Sequence, residues 1–282
     1  MLVNKSVDSN FSRCYHCLSM NDRYSRYKHL VFDNPAEHVL RIRINRPDRH
    51  NAMTPQTHTE LTEVWRDVSA DESVRAVIIG GVGKSFSVGG EFEFIEAIIN
   101  DFSMRERAWR EAKDLVYNII NCSKPIVSAM QGAVAGGGLS IGLLADISIA
   151  AKSAKLVDAH TRLGVCAGDH AVMLWPLLCG LARAKHLLLL CEPISGEKAA
   201  EIGLVSMCVE DNELEESALR IATQLAKGAP FAIQATKYAL NNWLRMAGPT
   251  FDASTALQFF SFSGPEPKEG LAAHQQKRPP AF

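Results

Sequence analysis

The sequence predicts an α/β protein, and three observations carry that prediction. Its 282 residues are 47% hydrophobic and 22% charged, the composition of a folded chain with a substantial core. Short apolar strand candidates alternate with helical stretches between residues 38 and 170. Beyond residue 170 the patterning is almost wholly helical, which argues an α/β core followed by a helical region.

The elements follow in order. Val39-Leu40-Arg41-Ile42-Arg43-Ile44 alternates, with Leu40, Ile42 and Ile44 on one face, and reads as a half-buried strand. Pro47 breaks it, and Thr54 opens a helical stretch to about Asp67. Arg75 to Gly80 reads as a short apolar strand, and residues 103 to 120 as an amphipathic helix. Pro125 to Ala129 is a strand, Gly137 to Ala145 a helix, and Ile147 to Ala150 a strand again. Helices are predicted at 170–178, 182–190, 197–202, 213–227, 230–243, 250–262 and 268–276. The chain is thus divided into an α/β core over 28–210 and a helical region over 211–282. Residues 1–27 are polar and aperiodic, and predict either a disordered extension or a translation start at Met20.

Composition narrows the function. Thirty basic residues balance 31 acidic ones, so the chain lacks the basic field that nucleic-acid binding requires. Seven cysteines, five of them in apolar segments, predict buried thiols in a reducing, cytoplasmic setting. Only Cys14 and Cys17 have metal-like spacing, and nothing completes a site, so no metal is expected. Pro125 to Ala145 carries no charge and is long enough to span a bilayer. Its five glycines lower its hydrophobicity, and a buried strand feeding a buried helix explains it better than a membrane segment.

Several motifs fail on inspection. Gly83-Lys84-Ser85 lacks the P-loop glycine five places earlier, where Ile78 stands, and no dinucleotide-binding GxGxxG follows the first strand. Gly138-Leu139-Ser140-Ile141-Gly142 matches the GxSxG nucleophile elbow. However, three glycines separate it from the preceding strand, and His274, near the C-terminus, sits in a charged helix. More informative is Ala135-Gly136-Gly137-Gly138, which follows a strand and opens an apolar helix. Unpaired N–H groups at such a start can hold a ligand oxygen, as in one half of an oxyanion hole; close helix–strand packing would also use glycine. Phe86-Ser87-Val88-Gly89-Gly90-Glu91 offers a second glycine-rich loop after a strand.

Together these segments resemble the enoyl-CoA hydratase/isomerase (crotonase) superfamily. The likeness runs from about residue 28 to the end, through Asn45-Arg46-Pro47-Asp48-Arg49-His50-Asn51-Ala52, Phe86 to Glu91, Gln131 to Gly138, Ala145-Asp146-Ile147 and Lys268-Glu269-Gly270. It implies a crotonase-like fold of stacked ββα units, with a C-terminal helical trimerisation region that makes homotrimers or hexamers (dimers of trimers). It also implies an acyl-CoA substrate, with CoA as part of that substrate and no further cofactor. The thioester carbonyl would sit between the N–H groups of Gly90 and Gly137. Arg49 and Val88 would lie along CoA, Lys277 would reach its nucleotide end, and Ser140 would lie at the substrate site.

The catalytic positions depart from the family pattern. Hydratases of the family use two glutamates; the first position here is Ser140 and the second is His160. His160 and Asp169 remain as the candidate catalytic pair, since histidine exchanges protons near neutral pH and a carboxylate can orient its ring. Asp169 is also placed as a helix N-cap would be. The nine-residue spacing resembles that of the crotonase-fold β-diketone hydrolases, which cleave C–C bonds by retro-Claisen chemistry. Three functions are therefore weighed: a hydratase or isomerase acting through an enolate, a C–C bond hydrolase, and a catalytically silent acyl-CoA-binding protein. His170 is expected to be a first-turn helix residue, and Glu91 to hold its loop.

Overall fold

The computed structural model describes residues 23–282. β1 (Leu30–Ala36) and β2 (Val39–Ile44) form an antiparallel hairpin, with Leu30 opposite Ile44. β3 (Ala76–Gly81), β4 (Ile126–Met130), β6 (Ile147–Ala151) and β9 (Met207–Val209) then add in parallel, in the order β1-β2-β3-β4-β6-β9. A smaller sheet joins β5 (Ala133–Ala135), β7 (Lys155–Val157) and β8 (Ile194–Ser195). β3 and β4 are buried along their whole length, as expected of parallel strands covered on both faces.

The crossovers are helical. Thr54 caps the Pro55–Ala70 helix through its hydroxyl, which accepts from the N–H of Thr57. That helix carries the sheet from β2 to β3 and packs on the Phe102–Asn121 helix, which leads into β4. The uncharged run 125–145 is divided between β4, β5 and the Gly136–Leu144 helix, and no described helix is long and apolar enough to cross a membrane.

Most elements read from the sequence are present with ends shifted by a residue or two; the first helix runs on to Ala70, and the helix expected over 230–243 is two, Pro230–Leu240 and Asn242–Met246. β1 was not expected because its outer residues are polar, with Asp33 pairing to Arg41 of β2 at 2.6 Å. The Phe92–Asn100 helix was missed because it follows the glycine loop directly. The region after 170 is not helix alone, since β8 and β9 lie within it; both are two or three residues long and leave no periodic trace. The boundary at residue 27 falls too late. Tyr24 and Tyr27 are buried against Phe32, Tyr24 stacked and Tyr27 tilted, and donate to Asp71 (3.0 Å) and Asp67 (2.6 Å). The expectations for Met20, Cys14 and Cys17 lie outside the described residues.

An ion pair between buried Lys237 and partly exposed Asp146 fastens the C-terminal helices to the sheet. Lys237 Nζ lies 2.7 Å from Asp146 Oδ2 and donates to the carbonyl of Lys124 at 2.8 Å. The same Asp146 oxygen accepts the N–H of Ile126 at the start of β4. The remaining face of these helices is apolar and bare: Phe231, Tyr238, Trp243, Met246 and Phe260 are each more than 60% exposed.

Candidate active site

The two glycine-rich loops meet. Ser87 and Val134 form a parallel bridge, Ala135 donates to the carbonyl of Ser87 (2.9 Å), and Met53 donates to that of Gly89 (2.8 Å). The backbones are so close that a Cβ on Gly89 would stand 3.2 Å from the carbonyl of Ala135, and one on Gly136 would stand 3.3 Å from Cα of Gly89. Both glycines have positive φ, 85° and 50°, so the sequence folds this way only with glycine there.

The contact leaves two N–H groups free for an outside oxygen. Gly90 lies in a bridge whose hydrogen bonds are made by its neighbours, and its own N–H has no partner among the described residues. Gly137 is in the first turn of the Gly136–Leu144 helix, where N–H groups have no intrahelical acceptor. Both glycines line a cavity of about 540 Å³.

Asn51 organises the cavity mouth from a buried position. Its amide donates to the carbonyls of Val82 (3.0 Å) and Ser85 (2.7 Å) and accepts the N–H of Arg46 (2.8 Å). Arg49 and Val88 are among the residues that line the cavity. Glu91 is held by Arg46 at 3.2 Å, in keeping with a loop-holding role. Lys277 does not line the cavity within this chain; its neighbour Arg278 does, paired with Glu269.

His160 and Asp169 come together at the cavity wall. His160 opens a short helical turn (His160–Leu163), and Asp169 precedes the Ala171–Cys179 helix. Nε2 of His160 is 3.7 Å from Asp169 Oδ2, and Nδ1 is 2.9 Å from Asp158 Oδ1. Burial works against the imidazolium, but the two carboxylates outweigh it and hold the ring's pKa up at about 10. The expectation of a histidine titrating near neutral pH is therefore corrected: the ring keeps its proton there.

Asp169 is the hub. Its Oδ1 is 2.6 Å from His170 Nδ1, and its Oδ2 accepts the Ser140 hydroxyl at 3.2 Å. Trp175 Nε1–H donates to His170 Nε2 (3.3 Å), which leaves Nδ1 to carry the ring hydrogen toward Asp169. Burial works to raise the Asp169 pKa. The neighbouring His160 and His170 rings, with the hydrogen bonds from His170 and Ser140, outweigh it and hold the carboxyl well below the usual range. Ser254 and Thr255 hydroxyls clasp the carbonyl of Gly168 at 3.0 and 2.8 Å, and a Cβ on Gly168 would run into the backbone of Ser254.

Two expectations need correction here. Ser140 is 1% exposed and is not among the residues that line the cavity; its hydroxyl is turned instead to Asp169 and His170. Asp169 caps nothing: its helix has His170 at the N-cap and no side-chain cap. Asp158 and His170 were missed as members of the cluster. The Asp158-Ala159-His160 spacing was a usable signal, since an aspartate often bonds two residues ahead, here to the His160 N–H at 3.2 Å. Asp158, Asp169 and His170 also stand close enough to share a cation. The hydrogen on His170 Nδ1 occupies the lone pair such an ion would need on that side.

The arrangement places two free N–H groups, an ionised carboxylate and a protonated imidazole around one cavity. The pattern of the enoyl-CoA hydratase/isomerase family matches residues 35–282. The chain is 30% identical to 1,2-epoxyphenylacetyl-CoA isomerase of Escherichia coli K12 over 255 residues, 89% of this chain and 97% of that protein. It is 30% identical to (E)-benzylidenesuccinyl-CoA hydratase of Thauera aromatica over 254 residues, 88% and 96% of the two chains. Among solved structures, an enoyl-CoA hydratase/isomerase from Mycobacterium paratuberculosis superposes with a TM-score of 0.83 at 28% identity, over 86% of this chain and 97% of the other.

Proposed function

The chain belongs to the enoyl-CoA hydratase/isomerase family, and from that premise we propose that it moves a proton on an enoyl-CoA thioester, as an isomerase. The thioester oxygen lies between the N–H groups of Gly90 and Gly137, which stabilise the enolate as charge develops on it. Asp169 takes a proton from the α or γ carbon, and the dienolate is reprotonated at the other carbon, with His160 supplying positive charge beside it. No water is added and no group leaves.

The observation that carries this reading is Asp169, a carboxylate held ionised beside His160 on the cavity wall, with Ser140 and His160 in place of the family's glutamates; of the other acids lining the cavity, Glu91 is engaged by Arg46. One carboxylate is enough for a reversible proton shuttle. Incubation of a 3-enoyl-CoA with the protein should give the conjugated 2-enoyl isomer, seen as a rise in its absorbance. Formation of a 3-hydroxyacyl-CoA instead would overturn isomerisation in favour of hydration.

A second reading has its own support. Asp158, His160 and Asp169 form a carboxylate–imidazole–carboxylate line, which could direct water to a β-diketone for retro-Claisen cleavage. Release of a carboxylic acid from a cyclic β-diketone, without CoA, would favour it. CoA itself would be met by Arg49 and Val88 at the mouth. Lys277 would come from a neighbouring subunit, since the bare apolar face of the C-terminal helices fits a trimer or dimer of trimers.

A further inference from the structure

The inner part of the cavity is walled by Phe94, Ile98, Ala112, Phe259, Phe262 and Leu271, a surface suited to hydrocarbon. Two polar side chains interrupt it. His58, on the Pro55–Ala70 helix, lines the cavity with its side chain 12% exposed. Its Nδ1 lies 2.9 Å from Glu111 Oε2. Glu111 is fully engaged, accepting also from Thr59 and from Arg107, each at 2.9 Å. Burial works to raise the Glu111 pKa, but these donors outweigh it, so Glu111 is ionised and keeps the hydrogen of His58 on Nδ1. Nε2, on the opposite edge of the ring, has no partner among the described residues.

Gln258, on the Gly248–Ser261 helix, is the second. It lines the same cavity at 5% exposure, and among the described residues its side-chain amide has no hydrogen-bond partner, Oε1 being buried without one. Buried amides are rarely left so, because an unpaired acceptor forfeits its hydration with nothing in return. A saturated hydrocarbon chain in this pocket would leave both His58 Nε2 and the Gln258 amide unanswered.

We propose that the pocket selects an acyl group bearing a hydroxyl or oxo oxygen on an otherwise apolar skeleton, and that His58 and Gln258 are the residues that recognise it. The inference rests on the acyl-CoA reading of the site. The chemistry is complementary: the amide both donates and accepts, and the unpartnered Nε2, opposite the hydrogen on Nδ1, accepts from a hydroxyl. The aromatic and branched walls supply the apolar remainder of the contact.

The test is calorimetric binding of hexanoyl-CoA against its 5-hydroxy and 5-oxo derivatives, and of phenylacetyl-CoA against its 3- and 4-hydroxy derivatives. At least one oxygenated thioester should bind about tenfold or more tightly than its parent, since sites built to hydrogen-bond a hydroxyl discriminate strongly against its absence. The preference should fall toward unity in Gln258→Met, an unbranched apolar side chain of similar length, and in His58→Phe. Parent compounds that bind as well as every derivative, or a preference that survives both substitutions, would overturn the proposal while leaving the acyl-CoA reading intact. Failure of all six thioesters to bind would overturn both.

Discussion

Nε2 of His160 stands 3.7 Å from Oδ2 of Asp169, while the opposite edge of the same ring is held by Asp158 at 2.9 Å. A ring between two carboxylates is a proton reservoir and not a neutral-pH base. The consequence for pH dependence has a definite sign. The folded pKa of His160, about 10, lies above its ordinary value near 6.5, so the stability it contributes is fully present below 6.5 and is lost as pH rises through 10. Asp169 is held below its ordinary value, so its contribution is present above about 4 and is lost as pH falls through the lowered value. The His160 ring should show no NMR titration between pH 6 and 8. Asp158→Asn should bring its titration down toward neutrality.

Ser140 acts on Asp169 from behind. Ser140→Ala removes one hydrogen bond to a buried carboxylate, worth about 1.5–3 kcal/mol for a bond to a charged group. We expect a loss of stability of that order in chemical denaturation. The acid limb of the activity profile should move to higher pH, because Asp169 loses a donor that holds it ionised. Ser140→Thr, which keeps the hydroxyl, should retain that limb.

Gly168 tests the clasp on the Asp169 turn. A methyl group there would overlap the backbone of Ser254, which cannot swing aside as a side-chain end can. Gly168→Ala should cost about 1–3 kcal/mol by overpacking and lower kcat by displacing Asp169. By contrast, a Cβ on Gly137 would meet the sulfur of Met53 at 2.9 Å, a flexible neighbour. Gly137→Ala should therefore fold nearly normally and show its effect in thioester affinity.

Lys237→Met should destabilise the protein by about 1.5–3 kcal/mol, because it removes a charged donor from Asp146 at the start of β4 and from the carbonyl of Lys124. The C-terminal helices should become the most exchange-prone segment in hydrogen exchange. Trp243→Glu, on the bare face, should leave the fold intact and shift the mass in light scattering from oligomer to monomer.

Much of the frame was legible because it is local. Both glycine loops are consecutive residues whose chemistry needs no partner to be recognised, and β2, β4 and the Phe102–Asn121 helix show their period within a single window. The His160–Asp169 pair was legible as a nine-residue spacing. What escaped was everything that depends on segments distant in sequence meeting in the fold. Ser140 reaches His170 across 30 residues and His58 reaches Glu111 across 53, and neither residue type announces its partner. The charge state of His160 was misjudged for the same reason, since Asp158 was not counted among its neighbours.

The central claim is that Asp169 moves a substrate proton while Gly90 and Gly137 hold the enolate. It is tested most directly by following deuterium exchange at the α carbon of bound acyl-CoA thioester in heavy water, for the native protein and for Asp169→Asn. The account predicts exchange in the native protein and its loss in the variant, with thioester affinity retained within a few-fold. Exchange that survives Asp169→Asn, or its absence in a native protein that binds the thioester, would contradict it.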